Sequence, residues 1–274
     1  MIETRSTSPR LTPTAAQHSV ACVSFLNSKP LIDPLVGHPD TTVHFEVPSK
    51  LLTLLDQGLA STGLLSVVDY HTAKHPLILL PSGMIGCDGP TLTVRIFSRV
   101  PPQNITTLHV DTDSHTSIIL AQVILREQFK TAPRLVDLQP GARPDAMLLI
   151  GDKVVNAAPA TDDYPHQLDL GEQWKLLTGL PFVFACWMQR RDMRDDSLAQ
   201  LLLEAQQRGA HITDQLLDRY AAEKRWPREL ARKYFTQYLR YEVTPAARHG
   251  LARFFELTRK HQLLPTQREL AWAW

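Results

Sequence analysis

The chain has 274 residues, which is enough for one large or two medium-sized domains but too few for three. Hydrophobic residues make up 43% and charged residues 21%, an ordinary globular composition that argues against a disordered or coiled-coil protein. Lys and Arg (29) nearly balance Asp and Glu (28), and a net charge of +1 provides no field that would hold nucleic acid as a partner.

The N-terminal residues and the cysteines indicate the cellular compartment in which the protein works. Residues 1–17 are polar and rich in Thr, Ser and Pro, which predicts a disordered tail without the apolar segment of a secretory signal. No later run approaches the ~20 apolar residues of a membrane-spanning helix, so no membrane partner is expected. The cysteines, Cys22, Cys87 and Cys186, are too scattered to indicate a disulfide framework or a zinc site. We expect a cytoplasmic protein without bound metal, either monomer or homodimer.

The first ninety residues alternate short apolar runs with helical patterns. Residues 19–25 and 42–47 are typical of strands, and each is followed by a helical spacing of leucines. The second of these helices is predicted to open at Pro48-Ser49, with Ser49 as its N-cap, and to end at Gly58. Further apolar runs at 64–68 and 77–80 continue the rhythm, which predicts a mostly parallel sheet.

The next hundred residues indicate a second lobe. Residues 86–90 interrupt the rhythm and are interpreted as a crossover, after which strands are predicted at 91–97, 107–110 and 146–150 and a helix at 118–129. The apolar run 182–187 is interpreted as a buried strand that returns the chain to the first lobe. We assign residues 18–92 plus 187–274 to lobe I and residues 93–186 to lobe II.

The last third of the sequence is helical. Apolar residues recur at a period of 3.6 from residue 195 onward, and Pro227, Pro245 and Pro265 fit helix N-termini or stops, while Gly209 fits a helix C-cap. At least three helices are therefore predicted to cover lobe I. One α/β lobe built from two chain segments, with a second lobe inserted between them, is the layout of type II periplasmic binding proteins. Such proteins bind small ligands in the cleft between the lobes.

Three loops place amide or hydroxyl groups at the start of a predicted helix, where free backbone N–H groups and the helix dipole favour an anion. They are Asn27-Ser28, Ser49 and the run 114–117. Capping alone accounts for Ser49, whereas in the run 114–117 one cap explains only one hydroxyl and leaves ligand binding open. Asn27 lies at the carboxyl end of a strand, where α/β sheets place ligand groups, although a plain turn residue is the alternative.

The common catalytic motifs are absent from this sequence. It contains no G-x-S-x-G, no P-loop, no G-x-G-x-x-G that opens a helix and no H-E-x-x-H. The histidines are scattered, and a spacing such as that of His109 and His115 is insufficient to indicate a metal site. Several large enzyme classes are therefore disfavoured, and no metal is assigned.

Motifs between residues 24 and 187 point to one family. In this sequence they are S-F-L-N-S-K-P-L (24–31), V-P-S-K-L (47–51), G-P (89–90), F-S-R-V-P (97–101), D-S-H-T-S (113–117), L-I-G-D (149–152), D-L-G-E-Q-W (169–174) and T-G-L-P-F-V-F (178–184). They resemble the motifs of the chorismate dehydratases of the futalosine route to menaquinone. Two positions depart from that pattern: Thr93 stands in place of Ser, and residues 64–66 replace L-[IV]-P, which affects one wall of the expected cleft.

The resemblance implies a hydro-lyase that converts chorismate into 3-[(1-carboxyvinyl)oxy]benzoate without a cofactor, since aromatisation of the ring drives the loss of water. It implies Asn27 as the catalytic residue. The substrate-binding residues that it implies are Ser28, Ser66, Gly89, Thr93, Ser114, His115, Thr116 and Ser117. No matched motif supplies an obvious base, so we hypothesise that a carboxylate of the substrate takes the proton, with His115 as the alternative.

Three other functions are alternatives to the dehydratase. A cytosolic binding or sensor protein for a small carboxylate would use the same cleft, because a fold does not determine a function. The naphthoate synthase of the same pathway shares the fold, but the segment N-S-K-P (27–30) argues against it. A structural protein without a ligand would leave the hydroxyl-rich loops unexplained.

Overall fold

Two β-sheets and ten α-helices build residues 17–274, the part of the chain that the computed structural model describes. The predicted tail therefore lies, apart from Gln17, outside the described residues. None of the helices in this part is both long enough and apolar enough to cross a membrane. The strands are β1 (His18–Cys22), β2 (Thr41–Phe45), β3 (Thr62–Ser66), β4 (Leu77–Cys87), β5 (Val94–Ser98), β6 (Thr107–Val110), β7 (Arg134–Asp137), β8 (Ala146–Ile150), β9 (His166–Asp169), β10 (Phe182–Arg190) and β11 (Leu239–Arg240).

The helices occupy the connections between strands and most of the C-terminal third. They are α1 (Lys29–Ile32), α2 (Pro48–Asp56), α3 (Asp69–Thr72), α4 (His115–Gln128), α5 (Asp152–Asn156), α6 (Leu170–Thr178), α7 (Asp196–His211), α8 (Thr213–Tyr220), α9 (Arg228–Lys233) and α10 (Pro245–Lys260). A π-helix, Tyr234–Tyr238, directly follows α9. The predicted helical C-terminal region is thus present, with Pro227 as the N-cap of α9 and Pro245 in the first turn of α10.

The six-stranded sheet has the order β11-β4-β10-β3-β1-β2. Strands β1, β2, β3 and β4 all run in the same direction, as the alternation of strands and helices predicted. The prediction of a mostly parallel sheet is nevertheless wrong, because β10 and β11 run antiparallel to their neighbours. Strand β10 arrives from the second lobe and inserts between β3 and β4, a pairing between distant chain segments that a local sequence pattern does not reveal.

The five-stranded sheet has the order β7-β6-β8-β5-β9 and is also mixed. Its strands β6, β7 and β8 are parallel, whereas β5 pairs antiparallel with both β8 and β9. We call the six-stranded sheet with its helices lobe I and the five-stranded sheet with its helices lobe II. Residues 182–186, which the sequence analysis assigned to lobe II, lie in β10 and therefore in the sheet of lobe I.

The carboxylate of Asp169 ties the two lobe crossovers together. Its oxygens accept hydrogen bonds from the backbone N–H groups of Thr91 (2.9 Å) and Leu92 (2.8 Å), in the crossover out of lobe I. The same side chain caps α6 by accepting from the N–H of Gly171 at 3.0 Å. A buried carboxylate that accepts several N–H groups is well satisfied, so this residue fixes where one crossover lies against the other.

Two local predictions fail for reasons visible in the packing. Helix α2 has Val47 as its N-cap and Pro48 at its first position, so Ser49 is not the cap. Gly209 does not end a helix but lies inside α7, where a Cβ atom would come 1.7 Å from the carbonyl oxygen of Pro30. Glycine is needed there because α7 packs directly on the backbone of α1.

A continuous core runs through both lobes. At the junction, Trp174 of α6 packs edge-to-face on Phe182 of β10 and on Phe254 of α10, with ring centroids 5.2 and 6.1 Å apart. All three side chains are fully buried. Such aromatic pairs each contribute about 0.5–1.5 kcal/mol beyond the area they bury, so this cluster stabilises the junction between the lobes.

Candidate active site

A cavity lies between the lobes and encloses about 600 Å³, including its open mouth. Its walls come from both sheets and from the C-terminal helical region. The lining residues are Val23, Phe25, Asn27, Pro48, Leu64, Ser66, Ile85, Thr91, Thr93, Val94, Ser114, Ser117, Ile150, Gly151, Phe184, Ala185, Tyr234 and Leu239. None of these side chains carries a charge.

The cavity forms at the carboxyl ends of strands, the edge at which α/β sheets place ligand groups. Ser66 is the last residue of β3, and Gly151 directly follows β8. Asn27 follows β1 after a short loop, in a single 3₁₀ turn, Leu26–Ser28, that leads into α1. The order of strands thus brings together polar groups that are far apart along the chain.

Asn27 presents an unsatisfied amide oxygen at this site. Its Oδ1 atom is buried and accepts no hydrogen bond within the described residues. The backbone carbonyl of the same residue accepts from the hydroxyl of Tyr241 at 3.1 Å, which fixes the backbone beside the cavity. Because a buried polar atom without a partner is costly, the free amide oxygen indicates a position at which a ligand would donate a hydrogen bond.

A second polar group is the hydroxyl pair of Thr93 and Tyr234, whose oxygen atoms lie 2.6 Å apart. Burial raises the pKa of Tyr234, and hydrogen bonds from Thr93 and Asn27 act in the opposite direction. The phenol is therefore neutral at physiological pH and can donate a proton into a hydrogen bond. The indole of Trp226 stacks on the phenol ring at 4.7 Å and holds its orientation.

The first turn of α4 supplies the opposite wall. Ser114 is its N-cap, and the Ser114 Oγ atom accepts from the backbone N–H of Ser117 at 3.3 Å. The two hydroxyl oxygens lie 3.0 Å apart. The 14 residues of α4 direct the positive end of their dipole at the cavity. The N-terminus of α2, at Pro48, also lies on the cavity wall.

These features could hold an anion in a neutral, largely apolar cavity. Free N–H groups of helix first turns and oriented hydroxyl groups hold negative charge without a neutralising Lys or Arg. Burial in a low-dielectric cavity strengthens these hydrogen bonds. Within residues 17–274, no group of three or more His, Cys, Asp or Glu side chains is arranged to hold a metal ion.

Five of the nine site residues predicted from the sequence line the cavity. They are Asn27, Ser66, Thr93, Ser114 and Ser117. Four separate stretches of chain, from both lobes, contribute these residues, and the structure brings them together in one cavity. Their roles in binding or catalysis stay predictions.

The other four predicted residues are not on the cavity wall, and each has a different local role. The Ser28 hydroxyl donates to the carbonyl oxygen of Val23 at 2.7 Å and is fully buried. Gly89 lies in the crossover at a φ of 121°, which a side chain rarely tolerates. His115 pairs with Asp69, and its Nδ1 atom lies 2.7 Å from the Asp69 Oδ1 atom.

Thr116 points into the protein interior. Its side chain is fully buried, and the Oγ1 atom has no hydrogen-bond partner among the residues described. On a helix, successive residues face different directions, so Ser114 and Ser117 share one face and the two residues between them do not. The motif D-S-H-T-S therefore contributes two hydroxyl groups to the cavity and not three.

Tyr234 and Thr91 line the cavity but were not predicted. Tyr234 lies in the C-terminal stretch that was predicted only to be helical, and its side chain is buried. The residue reaches the cavity because the chain changes from α9 to a π-helix at this point. Single π-turns are often found at functional sites, but no local sequence signal marks this one.

Solved structures of other proteins share this architecture. A protein of Archaeoglobus fulgidus superimposes with a TM-score of 0.69 at 15% identity, covering 90% of this chain and 98% of that one. The alkanesulfonate-binding protein SsuA of Xanthomonas axonopodis, bound to MOPS, gives 0.66 at 14% identity, with 92% and 95% covered. The conserved CA3427 gene product of Candida albicans, described as having the generic periplasmic binding protein fold, gives 0.63 at 11% identity, with 92% of each chain covered.

The fold and the cavity between its lobes define an α/β protein of the periplasmic-binding-protein type, which confirms the fold class expected from the sequence. A family model described as menaquinone biosynthesis matches residues 18–260, and the chain therefore belongs to this family. A curated relative, the chorismate dehydratase of Thermus thermophilus, is 28% identical over 229 residues, which is 77% of this chain and 84% of the relative. The resemblance drawn from the motifs is thus confirmed.

Proposed function

We propose that this protein removes water from chorismate to give 3-[(1-carboxyvinyl)oxy]benzoate, as a hydro-lyase of the futalosine route to menaquinone. One observation supports this most directly. Motif residues from separate parts of the chain, Asn27, Thr93 and Ser114 among them, meet in one cavity of a protein that belongs to a menaquinone biosynthesis family. The relative from Thermus thermophilus carries the same activity in its name.

The chemistry of chorismate suits the cavity. The substrate has two carboxylates on an apolar ring, and the site offers two helix N-termini, three serine hydroxyls and otherwise mainly apolar walls. On this proposal Ser114 and Ser117 hold one carboxylate, while Asn27 and the Tyr234 hydroxyl contact the part of the ring where charge develops. Because the reaction makes an aromatic ring, no redox group is required.

The base in this reaction must be identified first. Among residues 17–274, the cavity wall carries no charged side chain that could take the proton. A carboxylate of chorismate takes the proton from the ring carbon that bears the enolpyruvyl ether, and the electron pair forms the new ring double bond. The ring hydroxyl leaves and takes up that same proton from the carboxyl group, which gives water and restores the carboxylate. The alternative base, His115, is engaged by Asp69 and is not on the wall, which favours the substrate carboxylate.

The experiment is to incubate purified protein with chorismate, without metal or nucleotide, and to detect a product lighter by one water by chromatography and mass spectrometry. Asn27→Ala should lower kcat by roughly a hundredfold or more, the range of losing one group that stabilises transition-state charge. Asn104→Ala, at an exposed asparagine in a 3₁₀ turn of lobe II, is the matched control and should keep full activity.

Two results would count against the proposal. If chorismate stabilises the protein thermally but is never converted, the protein is a binding or sensor protein for a small carboxylate. If Asn27→Ala converts chorismate at the normal rate, the role proposed for Asn27 is wrong even though the activity stands. The proposal includes a cytoplasmic location, since a biosynthetic enzyme that acts on a water-soluble metabolite would work there.

A further inference from the structure

A histidine and an aspartate join the two lobes beside the cavity. Asp69 is the first residue of α3 in lobe I, and His115 is the first residue of α4 in lobe II. The Asp69 carboxylate is almost completely buried, with 1% of its side chain exposed, whereas 42% of the His115 side chain is exposed. The second carboxylate oxygen, Asp69 Oδ2, is buried without a hydrogen-bond partner in the described part of the chain.

Both members of this pair are next to residues that line the cavity. Ser114 directly precedes His115, and Ser66 lies three residues before Asp69, at the end of β3. The pair therefore fastens the first turn of α4, which carries Ser114 and Ser117, to the wall of lobe I that carries Ser66. Neither Asp69 nor the pairing was anticipated from the sequence.

We propose that Asp69 is a positioning residue, which acts through His115 to hold the first turn of α4 over the substrate when the lobes are closed. This inference rests on the proposed function, because it concerns how the dehydratase site is assembled. Asp69 itself is not on the cavity wall and is given no chemical step.

The electrostatics of the pair favour closure. Burial raises the pKa of Asp69, which means that its carboxylate is costly to keep ionised inside lobe I. The hydrogen bond that His115 donates to Asp69 is the largest influence on His115 and raises the pKa of the imidazole. Since the partner of the buried carboxylate comes from the other lobe, moving the lobes apart would leave a buried charge uncompensated, and closure relieves that cost.

No third ionisable group contributes to these two shifts in pKa. On α3, His71 faces away, toward Phe255 and the backbone N–H of Arg268. On α4, the nearest other charged residues are Arg126 and Glu127, about 17 Å along the helix axis at 1.5 Å per residue. Asp113, two residues before His115, is paired with Lys153 at 2.8 Å. The pH response of the contact therefore belongs to the pair alone.

The pH dependence of the contact follows from the raised pKa values of His115 and Asp69. As the pH rises through the raised pKa of His115, the imidazole loses its proton and the attraction to the Asp69 carboxylate falls to that of a neutral hydrogen bond. As the pH falls through the raised pKa of Asp69, the carboxylate is neutralised. The contact is strongest in the window between these two values, and KM should be lowest there.

Asp69→Asn tests the inference with a change of charge and almost none of shape. If fewer molecules are in the closed form, the apparent affinity for the substrate falls in proportion. Bound substrate still drives closure, so kcat is affected less than KM. KM for chorismate should rise about tenfold, the effect of losing one charge-assisted hydrogen bond, with kcat reduced less than threefold. The alkaline rise of KM in the wild type should be absent from the variant.

His115→Gln removes the partner of Asp69. Because His115 is partly exposed, this variant should fold even if Asp69→Asn does not, and the test remains possible. It should raise KM to a similar extent, and the double variant should be no worse than either single variant, since the two residues act through one contact. The matched control is Glu127→Gln, which breaks a second contact between α4 and lobe I, to Lys260 and His261, at the far end of the same helix.

The outcomes separate this inference from the proposed function. No conversion by the wild-type protein overturns both. Conversion by the wild type, with KM and its pH profile unchanged in Asp69→Asn and His115→Gln, overturns only the positioning role. An equal rise of KM in Glu127→Gln would also overturn it, because the effect would then come from general docking of α4 and not from its first turn.

Discussion

The hydroxyl oxygens of Thr93 and Tyr234 lie 2.6 Å apart, although 141 residues separate them in the chain. Thr93 is in the crossover that leads into lobe II, and Tyr234 begins the π-helix that follows α9. Both residues are buried, and both line the cavity. This contact places the C-terminal helical region directly against the candidate site, so that region is part of the site and not only a cover for lobe I.

Removing the Tyr234 hydroxyl tests this contact. Tyr234→Phe leaves the buried Thr93 hydroxyl without its partner and should lower the free energy of unfolding by about 1–2 kcal/mol. It should also lower kcat/KM for chorismate about tenfold, as expected for losing one donor to the substrate. Chemical denaturation and steady-state kinetics measure the two effects.

Tyr238→Phe in the same π-helix is the control. The Tyr238 side chain is only partly buried and does not line the cavity, so the change should cost less than ~0.5 kcal/mol. Full activity of Tyr234→Phe would remove Tyr234 from the site.

The Ser114 hydroxyl has two roles that substitution can separate. Ser114→Ala should lower stability by about 1 kcal/mol, because it removes the N-cap of α4. It should also raise KM about tenfold, because a hydrogen bond to a charged carboxylate is lost. Thr244→Ala removes the equivalent cap of α10, where the Thr244 Oγ1 atom accepts from Ala247 N–H at 3.1 Å, away from the cavity. A matching loss of stability with an unchanged KM is expected there, and equal KM values for the two variants would contradict the binding role.

The contact of Gly209 with Pro30 predicts an unusual glycine-to-alanine effect. Alanine at an ordinary interior helix position stabilises a protein by about 1 kcal/mol relative to glycine. Here the added Cβ atom meets the Pro30 carbonyl oxygen, and Gly209→Ala should instead destabilise by about 3 kcal/mol or more. Because α1 begins two residues after Asn27, we also expect reduced turnover. Gln207→Ala, at an exposed position of the same helix, is the control, and stabilisation by Gly209→Ala would show that α7 does not pack as described.

His71 makes the stability of lobe I depend on pH. Burial lowers the pKa of His71 from 6.5 to about 4, and its Nδ1 atom accepts a hydrogen bond from the Arg268 N–H, which a protonated ring cannot do. The unfolded chain therefore binds a proton more readily, and stability present above pH 6.5 should be lost as the pH falls toward 4. We expect a loss of about 2 kcal/mol across this range.

His71→Gln keeps an acceptor without titrating, so its stability should vary less between pH 6.5 and 4 than that of the wild type. Urea denaturation at several pH values is the measurement. Identical pH dependence in the two proteins would show that other groups cause the acid sensitivity.

Local patterns were sufficient for the elements that depend on neighbours in the chain. Strands at 107–110 and 146–150 were predicted at the observed bounds of β6 and β8, because short apolar runs bounded by polar residues are typical of strands. The common direction of β1 to β4 also followed from the alternation of strands and helices. The family followed from the motifs, which include residues that line the cavity.

Features that depend on distant parts of the chain were decided only by the tertiary structure. The insertion of β10, antiparallel, between β3 and β4 makes the sheet mixed and not mostly parallel as expected. The sequence also did not reveal that Tyr234 reaches the cavity, that Gly209 is required by the backbone of α1, or that His115 turns to Asp69.

The physical reason is the range over which each interaction acts. Helix and strand periodicity, caps and turns depend on residues a few positions apart, so the sequence alone determined the two-lobed α/β class and the candidate loops. Which hydroxyl faces a cavity and which turns inward depends on the register of packed elements that are far apart in the chain. The tertiary structure therefore decided that Asn27, Thr93, Ser114 and Tyr234 share one neutral cavity, while His115 pairs with Asp69 beside it.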